Sequence, residues 1–233
     1  MIQTFTFWYK KRTKGVPTDL WEHAMDTVTY APGTVPHELS KEIYKARAHQ
    51  FIDRLRWDLC VEKCGGEMDQ FDDAHAYYVA VREHGKHILS CRIRSASFGT
   101  MIEECFSDAL PFAKEFILLH RGSLWEVTRF CKCPEASPMK SAIALRAMSF
   151  ELDGFQDYIG ATGFVAVVYP HFSRFLQRLG VRFLRLSDGV INDERVQFIC
   201  VTHSVDFRDR MESDHKAASA SQNGVSFAFD RVA

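Results

Sequence analysis

The stretch Trp125-Glu126-Val127-Thr128-Arg129-Phe130 is the part of this 233-residue chain that an ordinary fold accommodates least easily. Its β-branched and aromatic residues mark it as a strand. Strict alternation puts Trp125, Val127 and Arg129 on one face and Glu126, Thr128 and Phe130 on the other. Each face then mixes one charge with apolar groups, whereas a half-buried strand segregates them. A carboxylate in apolar surroundings holds its proton more tightly unless a cation answers it. The pattern therefore fits a general base or a structural ion pair, and periodicity alone favours the pair.

The elements around this strand set the fold class. Met1 to Tyr9 alternates like an edge strand. Residues 10–35 read as loop around a short helix near Asp19–Met25. Ser40 can cap a helix that buries Ile43, Ala46, Phe51 and Leu55 and ends near Arg56. Residues 58–73, acidic and holding Gly65-Gly66, form a loop. Residues 76–82 and 88–93 pair as strands about His84-Gly85-Lys86. A short helix is expected over 103–110, and a longer one runs from the Ser137-Pro138 start to Gly160. Residues 164–169 form a strand buried on both faces and 172–179 a helix stopped by Gly180. Strands follow over 181–186 and 195–202, then a loose polar tail from about 207. This order predicts an α/β fold: a three-layer α-β-α sandwich with a mixed central sheet. The length suits a single domain spanning 1–233.

Composition narrows the partners. Apolar residues are 46% of the chain, and nineteen Phe suggest a core or pocket lined with rings. A net charge of −1 gives no footprint for nucleic acid, and no apolar run reaches the roughly 20 residues of a membrane span. Seven cysteines without a Cys-x-x-Cys pair fit reduced thiols in the cytoplasm. The spacings Cys60/Cys64 and Cys131/Cys133 miss those of zinc sites, so no metal is expected.

The charged residues recur at loop and strand ends. Arg92 lies among Ile88, Leu89, Cys91 and Ile93, and an arginine there needs a carboxylate. Asp69, Asp72 and Glu126 are the candidates. Asp69-Gln-Phe-Asp72 also reads as a turn that caps its own backbone. Arginines and carboxylates bundled together offer partners to both ends of a zwitterion.

The ordered set Arg47-x-x-x-Phe51, Arg54, Trp57, Glu67-x-Asp69-Gln-Phe-Asp72, Tyr77, Cys91-Arg92 and Trp125-Glu126-x-Thr128-Arg129-Phe130 resembles the acyl-homoserine-lactone synthases, the autoinducer synthases of quorum sensing. The match runs over about residues 44–202, with a small slip between Trp57 and Asp69. Any one motif is weak evidence, but the ordered set is strong. The resemblance implies an N-acetyltransferase-like sandwich. It implies S-adenosylmethionine as a substrate rather than a cofactor, and an acyl thioester on acyl carrier protein or coenzyme A. The amine attacks the thioester, and the methionine carboxylate then displaces methylthioadenosine to close the lactone. Carried over position by position, Arg47, Phe51, Trp57, Asp72, Arg92, Arg129 and Phe130 become substrate-binding residues. Glu126 becomes the base, with Asp69 as the runner-up that holds the ammonium.

An acyl pocket is expected from Phe150, Phe164, Ala166, Val168, Phe172 and Leu176, although core packing explains the same residues. Ala166 stands where relatives that prefer 3-oxo chains have Thr, which favours an unsubstituted chain. Residues 1–40 are longer than usual for the family and either extend a lid or add an edge strand. Arg174, Arg178, Arg182 and Lys140 form either a basic face for acyl carrier protein or a solvated helix face. Two other functions stay open: an N-acyltransferase acting on another amine without lactonisation, and a sensor that kept the pocket. Oligomeric state is not encoded legibly.

Overall fold

Two tight hairpins frame the sheet. The structure, a computed structural model, describes residues 25–202 except 64. Tyr77–Glu83 (β2) and Lys86–Ser95 (β3) join through His84 and Gly85, both at positive φ. That is the primed turn whose twist matches that of the flanking strands. The second hairpin pairs Leu184–Ile191 (β6) with Glu194–Val201 (β7), and Asn192 and Asp193 take the left-handed positions. Asn and Asp tolerate this conformation because their short side chains bond locally.

With Met25–Tyr30 (β1), Leu124–Lys132 (β4) and Gly163–Val168 (β5), the strands make a mixed seven-stranded sheet in the order β1-β2-β3-β4-β5-β7-β6. The helices are His37–Arg47 (α1), Met101–Cys105 (α2), Pro111–His120 (α3), Pro138–Ile159 (α4) and Pro170–Arg178 (α5). The expected α/β class with a mixed sheet is what the chain adopts.

The chain divides into two compact units, Met1–Arg94 with Val127–Tyr158, and Ser95–Glu126 with Ile159–Ala233. In the first, β1 pairs antiparallel with β2. Apolar clusters form around Ile43, Tyr78 and Ala80, and around Phe51 and Cys131. In the second, a larger core gathers Ile102, Leu110, Ile117, Val165 and Phe198. There β4 and β5 pair in parallel from Leu124↔Gly163 to Glu126↔Val165. Gly163 is required at the start of β5, because a Cβ there would lie 2.8 Å from Cys200 Sγ.

Several expectations change. Met25 opens an edge strand instead of closing a helix, so this part of the N-terminal segment extends the sheet. The expected strand over 1–9, most of the helix near Asp19 and the tail from 207 lie outside the described residues. The helix expected over 103–110 begins at Met101 and stops at Cys105. A separate α3, opened by Pro111, was not anticipated. Strand β6 starts three residues later than expected and runs on to Ile191. Among the described residues, no helix is long and apolar enough to cross a membrane.

Candidate active site

The end of α1 builds the site in the first unit. After Arg47 the helix widens into a π-helical segment, Ala48–Arg54, where the Leu55 N–H reaches back five residues to Gln50 O. Segments of this kind are rare and concentrate at functional sites. The Trp57 N–H then donates to Phe51 O at 2.9 Å. The Trp57 ring lies 5.2 Å from that of Phe51. Arg54 turns outward and bonds only its neighbour Gln50 among the described contacts.

Arg47 is fully buried. Its Nε donates to Glu67 at 2.6 Å, and its two terminal nitrogens grip Asp72 at 2.8 and 2.9 Å. Arg92, equally buried, donates to both Asp69 and Asp72, and its Nε donates to the Thr128 hydroxyl at 3.2 Å. Arg129 meets Glu67 at 2.9 Å and Asp69 at 2.8 Å and lies 5.1 Å over the Phe51 ring. Three guanidinium groups thus face three carboxylates. Burying this many charges is tolerable only because each is answered and hydrogen-bonded. Burial opposes ionisation of Asp72, but the bonds and charges of Arg47 and Arg92 outweigh it and hold the carboxyl well below its usual range. Burial, then the adjacent Asp72 carboxylate, pushes the Tyr78 phenol far up, so it stays a neutral donor to Asp72.

Asp69 is the open member of the cluster. Its side chain is 11% exposed, against 1% for Glu67 and Asp72. The turn caps itself as expected: Asp69 Oδ1 accepts the Phe71 N–H and Asp72 Oδ2 accepts the Asp69 N–H.

Strict alternation fails at Arg129. Its φ is +51°, a left-handed conformation that costs a non-glycine residue roughly 1–3 kcal/mol. The consequence is visible in the contacts: consecutive side chains, Thr128 and Arg129, both enter the acid–arginine cluster. The expectation that Arg129 opposes Thr128 across the strand is therefore corrected. Phe130, next along, is half-buried.

Glu126 belongs to the second unit. Its two oxygens accept the N–H groups of Met101 at 3.0 Å and Ile102 at 2.8 Å, and it is completely buried. Thr100 accepts the next N–H, from Glu103, so the first turn of α2 is capped by one carboxylate and one hydroxyl. Of the three carboxylates expected for Arg92, the described contacts place Asp69 and Asp72 on it, while Glu126 anchors α2.

The expected acyl-pocket residues differ among themselves. Phe164 and Leu176 are buried, and Ala166, Val168 and Phe172 are half-buried, all in the second unit. Phe150 lies in the first unit, 49% exposed, with the Arg146 guanidinium 6.0 Å over its ring. Lys140 pairs with Glu83 at 2.6 Å.

Three participants were given no role from sequence. Glu67 joins Arg47 to Arg129, and charge balance for three buried arginines would have called for it. Tyr78, not the quoted Tyr77, reaches the cluster: it pairs directly with Arg92 across the β2–β3 ladder, whereas the Tyr77 ring packs 5.5 Å from Phe155. Arg94 pairs with Asp73, and with Arg92 it flanks the buried Phe71 ring.

Comparison with known proteins agrees with this chemistry. The family model described as autoinducer synthase matches residues 34–211. An acyl-homoserine-lactone synthase of Rhizobium radiobacter is 28% identical over 170 residues, 70% of this chain and 78% of that protein. The crystal structure of the synthase LasI superposes with a TM-score of 0.65 at 19% identity, covering 77% of this chain and 90% of LasI. BjaI, a CoA-dependent synthase solved with SAM and isopentyl-CoA, gives 0.62 at 15% identity, covering 83% of this chain and 89% of BjaI. The two structures establish the likeness of fold, and the family model, spanning well over half of the sequence, establishes the kinship: the chain belongs to the autoinducer synthases, a family of acyltransferases.

Proposed function

We propose that the enzyme acylates the amine of S-adenosylmethionine from an acyl thioester and then closes the lactone, releasing methylthioadenosine. The observation that carries this reading is Asp69. It is the exposed edge of an otherwise sealed, charge-balanced cluster, and two arginines pin its carboxylate. Such a group offers a fixed acceptor to an ammonium without reorganising.

The attacking amine must lose a proton to a carboxylate, directly or through one water. Glu126 is the proposed acceptor. The Met101 and Ile102 amides fix the orientation of its carboxylate. Asp69 is the second choice. Ala166, without a hydroxyl, supports an unsubstituted acyl chain. Acyl carrier protein and coenzyme A both remain donors under this proposal.

Expression in a host that makes no such lactones, followed by mass spectrometry of the extract, tests the class and gives the chain length. Methylthioadenosine release in vitro separates lactone formation from simple N-acylation. If Glu126 takes the proton, Glu126→Gln lowers kcat by roughly 10²–10⁴. Asp69→Asn then raises KM for S-adenosylmethionine more than it lowers kcat. The reverse pattern moves the base to Asp69, and an amide product without methylthioadenosine overturns the lactone reading.

A further inference from the structure

The acidic turn that carries Asp69 is held from one face of β3. Arg92 and Arg94 stand two residues apart on that strand, so their side chains leave the same face. Both guanidinium groups lie over the Phe71 ring, Arg92 at 5.6 Å and Arg94 at 5.8 Å from its centroid. Phe71 and Arg94 are both buried, and a cation over a ring is held more strongly where water is kept out. Arg92 grips Asp69 and Asp72, and Arg94 pairs with Asp73. The turn is thus fastened at both ends, with its aromatic ring in the middle.

Arg94 reaches Asp69 through Phe71. The Phe71 N–H donates to Asp69 Oδ1 at 2.9 Å, so a ring fixed in place fixes the amide that aims this carboxylate. Asp73 continues the hold. Its Oδ1 also accepts the His75 N–H at 2.9 Å, and its carbonyl oxygen accepts the Ala76 N–H at 3.1 Å, which ties the end of the turn to the start of β2. Burial works against a charge on Asp73, but the bonds from Arg94 and the His75 N–H outweigh it and hold the carboxyl below its usual range. The sealed cluster balances without this pair, because Glu67, Asp69 and Asp72 are each met by Arg47, Arg92 or Arg129. Charge balance in the cluster therefore does not call for Arg94, whereas the aim of Asp69 does.

We infer that Arg94 is a positioning residue for S-adenosylmethionine: by holding Phe71 and Asp73 it aims the Asp69 carboxylate at the ammonium. The inference rests on the reading of Asp69 proposed above. The test titrates the full-length chain, by calorimetry, with S-adenosylmethionine and with methylthioadenosine, which lacks the ammonium. Arg94→Met is expected to weaken S-adenosylmethionine roughly tenfold and methylthioadenosine by less than about twofold, the size of effect that coupled neighbours show. Arg94→Lys, which can still pair with Asp73, should recover part of the loss. Asp73→Asn reaches the same contact from its other side and should weaken S-adenosylmethionine selectively even if Arg94→Met does not fold by circular dichroism. In an Asp69→Asn background Arg94→Met should add nothing, because residues that act through one another are not additive. Equal losses for the two ligands, full additivity with Asp69→Asn, a Lys variant no better than Met, or unchanged affinity in Asp73→Asn would each overturn the inference. Wild-type protein that fails to bind S-adenosylmethionine would instead overturn the reading of Asp69 itself, and the inference with it.

Discussion

Arg47, Arg92 and Arg129 are buried and answered by Glu67, Asp69 and Asp72, whereas Arg174, Arg178 and Arg182 are exposed with no carboxylate partner among the described residues. The same side chain is used in two opposite ways. In the first region, charge is spent on shape: each guanidinium fixes a loop carboxylate, and together they leave only Asp69 open. In the second, charge is left unspent and its field reaches into solvent, where salt screens it within about 8 Å at physiological ionic strength. Buried pairs are screened far less. Removing a member should therefore harm the first region severely and the second hardly at all.

The largest effect is expected at Arg47. Replacing it with Met takes one of two cations from each of Glu67 and Asp72 and leaves three buried carboxylates to two guanidinium groups, which costs about 3–5 kcal/mol. Urea unfolding measures this as a lower midpoint, and a loss below about 1 kcal/mol would show that the cluster is not sealed. Acid attacks the same region. The folded pKa of Asp72 is depressed, so its contribution is present above its ordinary value of 3.8 and disappears as pH falls below it. His87, on β3, acts earlier. Burial lowers its pKa from 6.5 to about 4, and its Nε2 lies 2.9 Å from the Ser90 hydroxyl. The unfolded chain then binds the proton more readily, and stability drains away between pH 6.5 and about 4, by about 3 kcal/mol in all. His87→Gln should flatten that limb and leave the steeper loss below 3.8. An unchanged slope above pH 4 would remove His87 from the account.

How far the sequence discloses this contrast depends on the kind of signal. Ser137-Pro138 and Gly160 bracket α4 because caps depend on local backbone chemistry. Gly85 marks the first hairpin for the same reason. Asn192-Asp193 carried an equivalent signal that was passed over, and β6 was consequently cut short. Helix α3 was legible in Pro111 followed by Ala113, Phe116 and Ile117, the spacing of a buried stripe. The left-handed turn at Arg129 was not legible, since no glycine or asparagine announces it and only its contacts hold it there. The same is true of the π-helical segment after Arg47, whose composition is that of an ordinary helix. Glu67 was in view as the first residue of the quoted motif, but only charge balance against three arginines gives it a role. Residues recognised as a pattern came together where they share the first unit; Glu126 turned out to cap α2, a role that no motif encodes.

The smallest effect tests the exposed set and has the opposite sign. Arg178→Gln removes like-charge repulsion with Arg174, one turn earlier on α5, at little cost in packing. A gain of a few tenths of a kcal/mol is expected at low salt, fading as salt rises. Urea midpoints at two ionic strengths measure it. A gain that persists at high salt would point to helix propensity rather than charge. A loss of 1 kcal/mol or more would mean that Arg178 is holding structure, and the contrast between the two sets of arginines would fail at its weaker end.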